Sequence, residues 1–145
     1  MLSQTAEYAL RAMLVLTVRP NQARTVQDIA SHSKVPVDYL AKILRALGRA
    51  ELLLAQRGPG GGFRPARTAD AITVLDVVNA VDPLKRIKVC PLGLAAHQRR
   101  LCPLHSKIDD AVRSAEEAFA ATTLASLTEE PVAFVEDQEI TDVAS

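Results

Sequence analysis

Two cysteines and two histidines fall within sixteen residues of this chain, in the order Cys90-x6-His97-x4-Cys102-x2-His105. Thiolates and imidazoles are the donors that zinc and iron–sulfur clusters take, and both normally want four of them. Neither interval is the close cysteine pair of a zinc finger, so a finger-like site is not expected. The competing reading has Cys90 and Cys102 as small buried residues and the histidines as surface or capping groups. The surrounding segment, Lys85 to Leu104, has no helical periodicity and contains Pro91, Gly93 and Pro103, as a ligand-bearing loop would. With only two cysteines in the whole chain, a disulfide framework is not expected, and redox or metal roles stay open. A metal-dependent enzyme could use the same four residues, but the sequence offers no evident general acid–base pair to work with them.

The other chemistry written in the sequence is electrostatic. Arg57-Gly-Pro-Gly-Gly-Gly-Phe63 cannot be the middle of a helix or strand, because glycine loses too much backbone entropy there and proline lacks the N–H. Glu51 to Gln56 reads as a short strand leading in, and Phe63-Arg-Pro-Ala resumes after it, so the whole is a β-hairpin with an arginine at its neck. A tip poor in side chains, flanked by Arg57, Arg64 and Arg67, can lie against DNA phosphates. The bland alternative is an ordinary glycine turn.

The elements that must position these groups follow from periodicity. Ala6, Ala9, Leu10, Met13, Leu14 and Leu16 recur at helical spacing from Gln4 to Val18, with Glu7 and Arg11 on one exposed face, and Pro20-Asn21 stops the helix. Thr25 is a good N-cap for a short helix over 26–31, and Ser33 to Pro36 is a turn. A further helix runs from Val37 to Gly48. Tyr39, Leu40, Ile43, Leu44 and Leu47 are expected to face inward, with Asp38, Ala41, Lys42, Arg45 and Arg49 outward. Helix, brief turn, helix with a basic outer face, then a hairpin is a winged helix-turn-helix, whose recognition helix enters a major groove. Its candidate DNA-binding residues are Thr25, Asp38, Tyr39, Lys42, Arg45, Arg49, Arg57, Gly60 and Gly61, with Lys42 and Arg45 best placed to reach phosphates or guanine edges. Tyr39 is expected to be a core or phosphate-contacting residue, and the alternative for the basic face is simple solvation.

Thr73 to Val81 is again helical, and a long helix runs from Leu104 to about Thr122 with an alanine-rich stripe that permits close helix–helix approach. It is a natural dimerisation element, or else packs on its own domain. The formal charge is zero, but its distribution is uneven: residues 1–70 carry net +5, residues 71–107 net +4 and residues 108–145 net −9. A basic body with an acidic tail can still meet nucleic acid. No apolar run reaches membrane-span length and no targeting segment is evident, so a cytoplasmic protein without a membrane partner is expected. The fold class is mainly α: a winged helix-turn-helix over 1–83, a metal- or cluster-binding loop over 84–105, a dimerisation helix over 104–128, and an acidic tail over 129–145.

These features together resemble the Rrf-two family of bacterial winged-helix regulators. The resemblance is carried by Glu7-Tyr8-Ala9-Leu10 with Arg11 and Met13, by Asp28-Ile29-Ala30, by Tyr39-Leu40 with Leu44 and Leu47, by the Arg57–Phe63 wing, by Val77 to Asp82, and by Cys102-Pro-Leu-His105. It implies a homodimer on a pseudo-palindromic double-stranded DNA operator, with an iron–sulfur cluster in the loop before the dimerisation helix. Cluster-binding members carry three cysteines in that loop. Here Cys90 and Cys102 match the outer two, while the middle position falls on Ala96, beside His97. His105 matches a histidine that serves as a ligand in some members, and Glu7 stands where a carboxylate of the partner subunit completes the cluster in others. The implied ligand set is Cys90, Cys102 and His105 with either His97 or Glu7 of the partner subunit, around a 2Fe–2S cluster; zinc or no cofactor are the alternatives. The function so implied is transcription regulation with a redox, iron or nitric-oxide sensor. A cluster-free regulator that responds to thiol oxidation or a small ligand is the alternative.

Overall fold

The computed structural model describes residues 1–94 and 100–129. In chain order the elements are α1 (Gln4–Val18), α2 (Val26–Ser33), α3 (Val37–Arg49), β1 (Leu53–Gln56), β2 (Gly62–Pro65), a single 3-10 turn (Ala69–Ala71), α4 (Val74–Val81), α5 (Pro103–Ala121) and α6 (Leu124–Thr128). Around α1 the rest of the body assembles. The Ser3 hydroxyl caps it by accepting the Ala6 N–H at 3.1 Å. From Ala12 to Thr17 every residue is buried, because α2, α3, α4 and α6 all pack on this helix. A helix apolar on all sides belongs in the interior.

Thr25 starts α2 as the sequence predicts, its hydroxyl accepting the Asp28 N–H at 3.2 Å. The helix runs past the expected Ser31 to Ser33, where Lys34 closes it in the left-handed conformation (φ 56°). Leu40, Ile43, Leu44 and Leu47 of α3 are buried in the main core with Met13, Leu16, Ile29 and Leu52. Tyr39 does not join them. Its side chain is 40% exposed, its hydroxyl lies 2.6 Å from Thr5 Oγ1, and its ring meets Tyr8 edge-on at 5.6 Å.

β1 and β2 pair antiparallel from Leu53↔Pro65 to Gln56↔Gly62. The first strand begins two residues later than Glu51, which turns the chain out of α3 with φ 61°. The hairpin does not stand alone: Arg24 N–H donates to Phe63 O at 2.9 Å and Phe63 N–H to Arg24 O at 2.7 Å, a single antiparallel bridge that ties the segment entering α2 to β2. Gly62 makes this possible. With φ 144°, a Cβ there would collide with the Arg24 carbonyl and the Thr25 nitrogen.

α5 ends at Ala121, next to the expected Thr122, and within the segment assigned to dimerisation over 104–128 Thr122-Thr123 then turn the chain back onto the body. Val74 N–H donates to Thr122 O and Leu124 N–H to Ile72 O, both at 2.9 Å, and the Thr123 hydroxyl caps α6. Leu124 is then wholly buried in the main core; the apolar gain of that burial, about 1.5–3 kcal/mol for a leucine, is what breaks the long helix. Among the described residues, no helix is long and apolar enough to cross a membrane. Residues 130–145, most of the expected acidic tail, lie outside the described residues.

Candidate metal centre and nucleic-acid interface

Cys102 is the N-cap of α5, Pro103 occupies the first turn, and His105 follows three residues after the cap. That spacing sets the cap side chain against the N3 residue, as in a capping box. Cys102 Sγ lies 3.0 Å from His105 Nδ1. Cys90 comes from the segment after α4 and completes the group, its sulfur 4.0 Å from Cys102 Sγ and 3.7 Å from His105 Nδ1. Both cysteines are buried and neither is in a disulfide. The three donor atoms lie within 4.8 Å of one another.

The electrostatics favour ligation. No side-chain hydrogen bond caps α5, yet the His105 backbone N–H, and after it the His105 ring, favour the thiolate. With a smaller contribution from Cys90, they outweigh burial and bring the Cys102 thiol down from 9.0 to about 7. A thiol so placed is substantially ionised near neutrality, the form that binds metal.

Of the other two expected ligands, Glu7 is exposed on α1 and pairs with Arg11 at 3.0 Å; within one chain it is not part of the cysteine–histidine group. His97 lies outside the described residues, as does Ala96.

The DNA-facing candidates divide more finely. Asp38, Lys42, Arg45 and Arg49 are exposed along α3, and Thr25 and Arg57 are exposed at the start of α2 and the neck of the hairpin. Among the described residues none of Lys42, Arg45, Arg49 and Arg57 is held by a carboxylate. Tyr39 lies beside this face and braces α3 against Thr5 and Tyr8 of α1. Gly60 is open to solvent with φ 72°, while Gly61 packs on the Gln56 and Gly58 carbonyls of its own turn. Gly61 therefore lacks a side chain so that the hairpin can close on itself.

Sequence reasoning missed Arg24, whose guanidinium is buried and reaches Asp28 Oδ2 at 3.2 Å. It also missed Arg86, which joins the Cys90 segment to α5 through Asp109. The i,i+4 spacing of Arg24 and Asp28 was a readable signal for the first; twenty-three residues separate the second pair, and no local pattern marks it.

A winged helix-turn-helix with an exposed basic face on α3 and a cysteine–histidine group on an appended arm is an architecture suited to a DNA-binding transcriptional regulator. The Rrf2 family, described as "Iron-dependent Transcriptional regulator", matches residues 2–130, and the chain belongs to it. It is a transcriptional regulator and not an enzyme. A protein of Aquifex aeolicus named as an HTH-type transcriptional regulator is 27% identical over 128 residues, covering 86% of this chain and 89% of that one. The fold is shared with CymR, the global cysteine regulator of B. subtilis (TM-score 0.73, 22% identity, 89% of this chain and 96% of that one). It is shared too with IscR of T. potens (TM-score 0.72, 22% identity, 89% and 86%).

Proposed function

We propose that this regulator is a homodimer whose operator affinity is set by a metal centre on Cys90, Cys102 and His105. The observation that carries the reading is the convergence of these three donors, two buried, from two separate segments of the chain. The donor set fits an iron–sulfur cluster of the 2Fe–2S type with one more ligand, His97 or Glu7 of the partner subunit. Glu7 suits that task because it is exposed on α1 and free to turn away from Arg11, its surface partner. Bound there, a cluster would supply a reversible one-electron or iron-occupancy signal, with imidazole ligation raising its potential above that of an all-thiolate site.

Dimerisation is supported by α5. None of its nineteen residues is buried within one chain, and Leu104 and Ile108 are 63% and 43% exposed. Together with Ala111, Ala115 and Ala118 they form a stripe of small and apolar side chains that suits a second copy of the helix. Two-fold symmetry would set two copies of α3 on the half-sites of a pseudo-palindromic operator. In each, Lys42, Arg45 and Arg49 would meet phosphates or guanine edges in the major groove, Asp38 would face base edges, Thr25 a phosphate, and Arg57 and Gly60 the adjoining backbone or minor groove.

A second reading is favoured by the short separations within the triad. Ligands of one tetrahedral ion at ordinary Zn–N and Zn–S distances stand roughly 3.4–3.8 Å apart, close to what the three donors already show. A single zinc ion would then hold the arm instead of sensing. Anaerobic purification, with iron, sulfide and zinc analysis and visible absorption, decides between them. Iron and sulfide in equal amounts with visible bands support the cluster, and stoichiometric zinc supports the second reading. Colourless protein that holds neither metal overturns both.

A further inference from the structure

The cysteine–histidine triad is assembled from two pieces of chain, whose apolar packing lies away from it, where Leu84 and Phe119 rest against Ala6, Val74 and Val78. Cys102 and His105 belong to the first turn of α5, whereas Cys90 ends a segment without regular structure whose Val89 is 75% exposed. Between that packing and the triad, the join is polar. Arg86 Nε donates to Asp109 Oδ1 and Arg86 Nη2 to Asp109 Oδ2, both at 2.7 Å. The Ile87 backbone N–H donates to the same Oδ1 at 2.8 Å, and Arg86 Nη1 reaches Glu116 Oε2 at 3.3 Å.

His105, Asp109 and Glu116 stand at steps of four and seven residues, one stripe of α5 turned toward the Cys90 segment. A lone surface ion pair would contribute little. This one is a two-pronged guanidinium–carboxylate fork whose carboxylate also takes a backbone N–H, so it fixes both the position and the orientation of residues 86 and 87. Its charges reinforce each other: the Arg86 and Ile87 hydrogen bonds hold the Asp109 carboxyl down at about 2, and Asp109 raises the Arg86 guanidinium. The strap therefore stays ionised from mild acid through alkali.

We propose that Arg86 and Asp109 are positioning residues of the metal centre: their fork straps the Cys90 segment to α5 and sets the Cys90 thiol against Cys102 and His105 before any metal arrives. The inference rests on the metal-centre reading of the triad. It deepens that reading by placing the donors' assembly outside the ligands themselves, in a pair that no metal touches.

The test uses the full-length, metal-free, reduced chain with two probes. The first is Co2+ titration followed by its thiolate-to-metal absorption. The second is the rate at which diamide closes a Cys90–Cys102 disulfide, the two thiols giving two electrons and two protons to the N=N bond, which becomes a hydrazine. Arg86→Ala is expected to bind Co2+ about 10–100-fold more weakly than wild type, the usual effect of losing a group that orients ligands. It should also form the internal disulfide at least several-fold more slowly. Arg86→Lys, which keeps the charge without the fork, should fall between, as should Asp109→Asn, which keeps an acceptor for the Ile87 N–H. If circular dichroism shows Arg86→Ala unfolded, these two milder variants carry the test. Co2+ affinity and disulfide rate within twofold of wild type in all folded variants overturn the strap. A wild-type chain that takes no Co2+ overturns the metal-centre reading instead, and the disulfide rates still decide the strap.

Discussion

The winged-helix body and the arm that carries the cysteines are held together by different physics. In the body, seventeen buried apolar residues from α1, α2, α3, α4, α6 and the strand region form one cluster, so its shape follows from burial and needs no ligand. In the arm, α5 buries nothing fully, and its geometry depends on an ion-pair fork, three potential ligands and an exposed apolar stripe. On the function proposed above, the half that would read DNA is built as a solid, and the half that would respond is left conditional on what binds it.

That contrast can be broken from the body outward. Leu124→Ala removes a wholly buried side chain and should lower stability by about 2–5 kcal/mol in urea unfolding. A loss of less than about 1 kcal/mol would show that α6 belongs energetically to the arm. Ile108→Asp, on the exposed stripe of α5, should leave the urea midpoint of the isolated chain nearly unchanged while shifting the protein from dimer to monomer in sedimentation. An undiminished dimer would place the interface elsewhere.

Arg57→Ala and Lys42→Ala sharpen the comparison at the DNA face. Each should weaken operator binding and reduce the slope of log affinity against log salt by about 1, with no effect on Co2+ binding by the triad. Wild-type salt dependence in both variants would remove the wing neck and the α3 face from the interface.

The smallest effect concerns protons. In the metal-free chain, Cys102 alkylation should rise through a midpoint near pH 7 and move only part of the way up toward 9.0 in His105→Ala, which removes the ring but keeps the backbone N–H, the larger cause of the depression. A folded thiol lowered in this way adds stability that is fully present above 9.0 and is lost as the pH falls through about 7. Wild type and His105→Ala should therefore differ most in thermal stability at the alkaline end and converge in acid. Parallel stability curves across that range would argue that the histidine does not act on the thiol.

The sequence showed the body more clearly than the arm, for physical reasons. The cap at Thr25, the apolar spacing of α1 and α3, and the glycines after Arg57 are local signals, and each marks the element it should. Tyr39 is misplaced by the same reasoning because an aromatic at helical spacing looks like core, and its hydroxyl partner Thr5 is thirty-four residues away. The end of α5 near Thr122 is legible, but α6 is not, since a five-residue helix has too short a period to read and Leu124 is buried against distant residues. The cysteines and His105 could be picked out by donor type. Their strap could not, because Arg86 and Asp109 look like two ordinary surface charges until the fold brings them together.

The pairing of Arg24 with Phe63 has one more consequence. Two main-chain hydrogen bonds tie the hairpin to the start of α2, and β1 follows directly on α3, so the hairpin is held to both helices of the helix-turn-helix. In the proposed dimer each chain would act as one stiff jaw of a caliper. A signal from the arm would then alter the gap and tilt between jaws, and operators differing in half-site spacing would respond to it more than operators differing in half-site sequence.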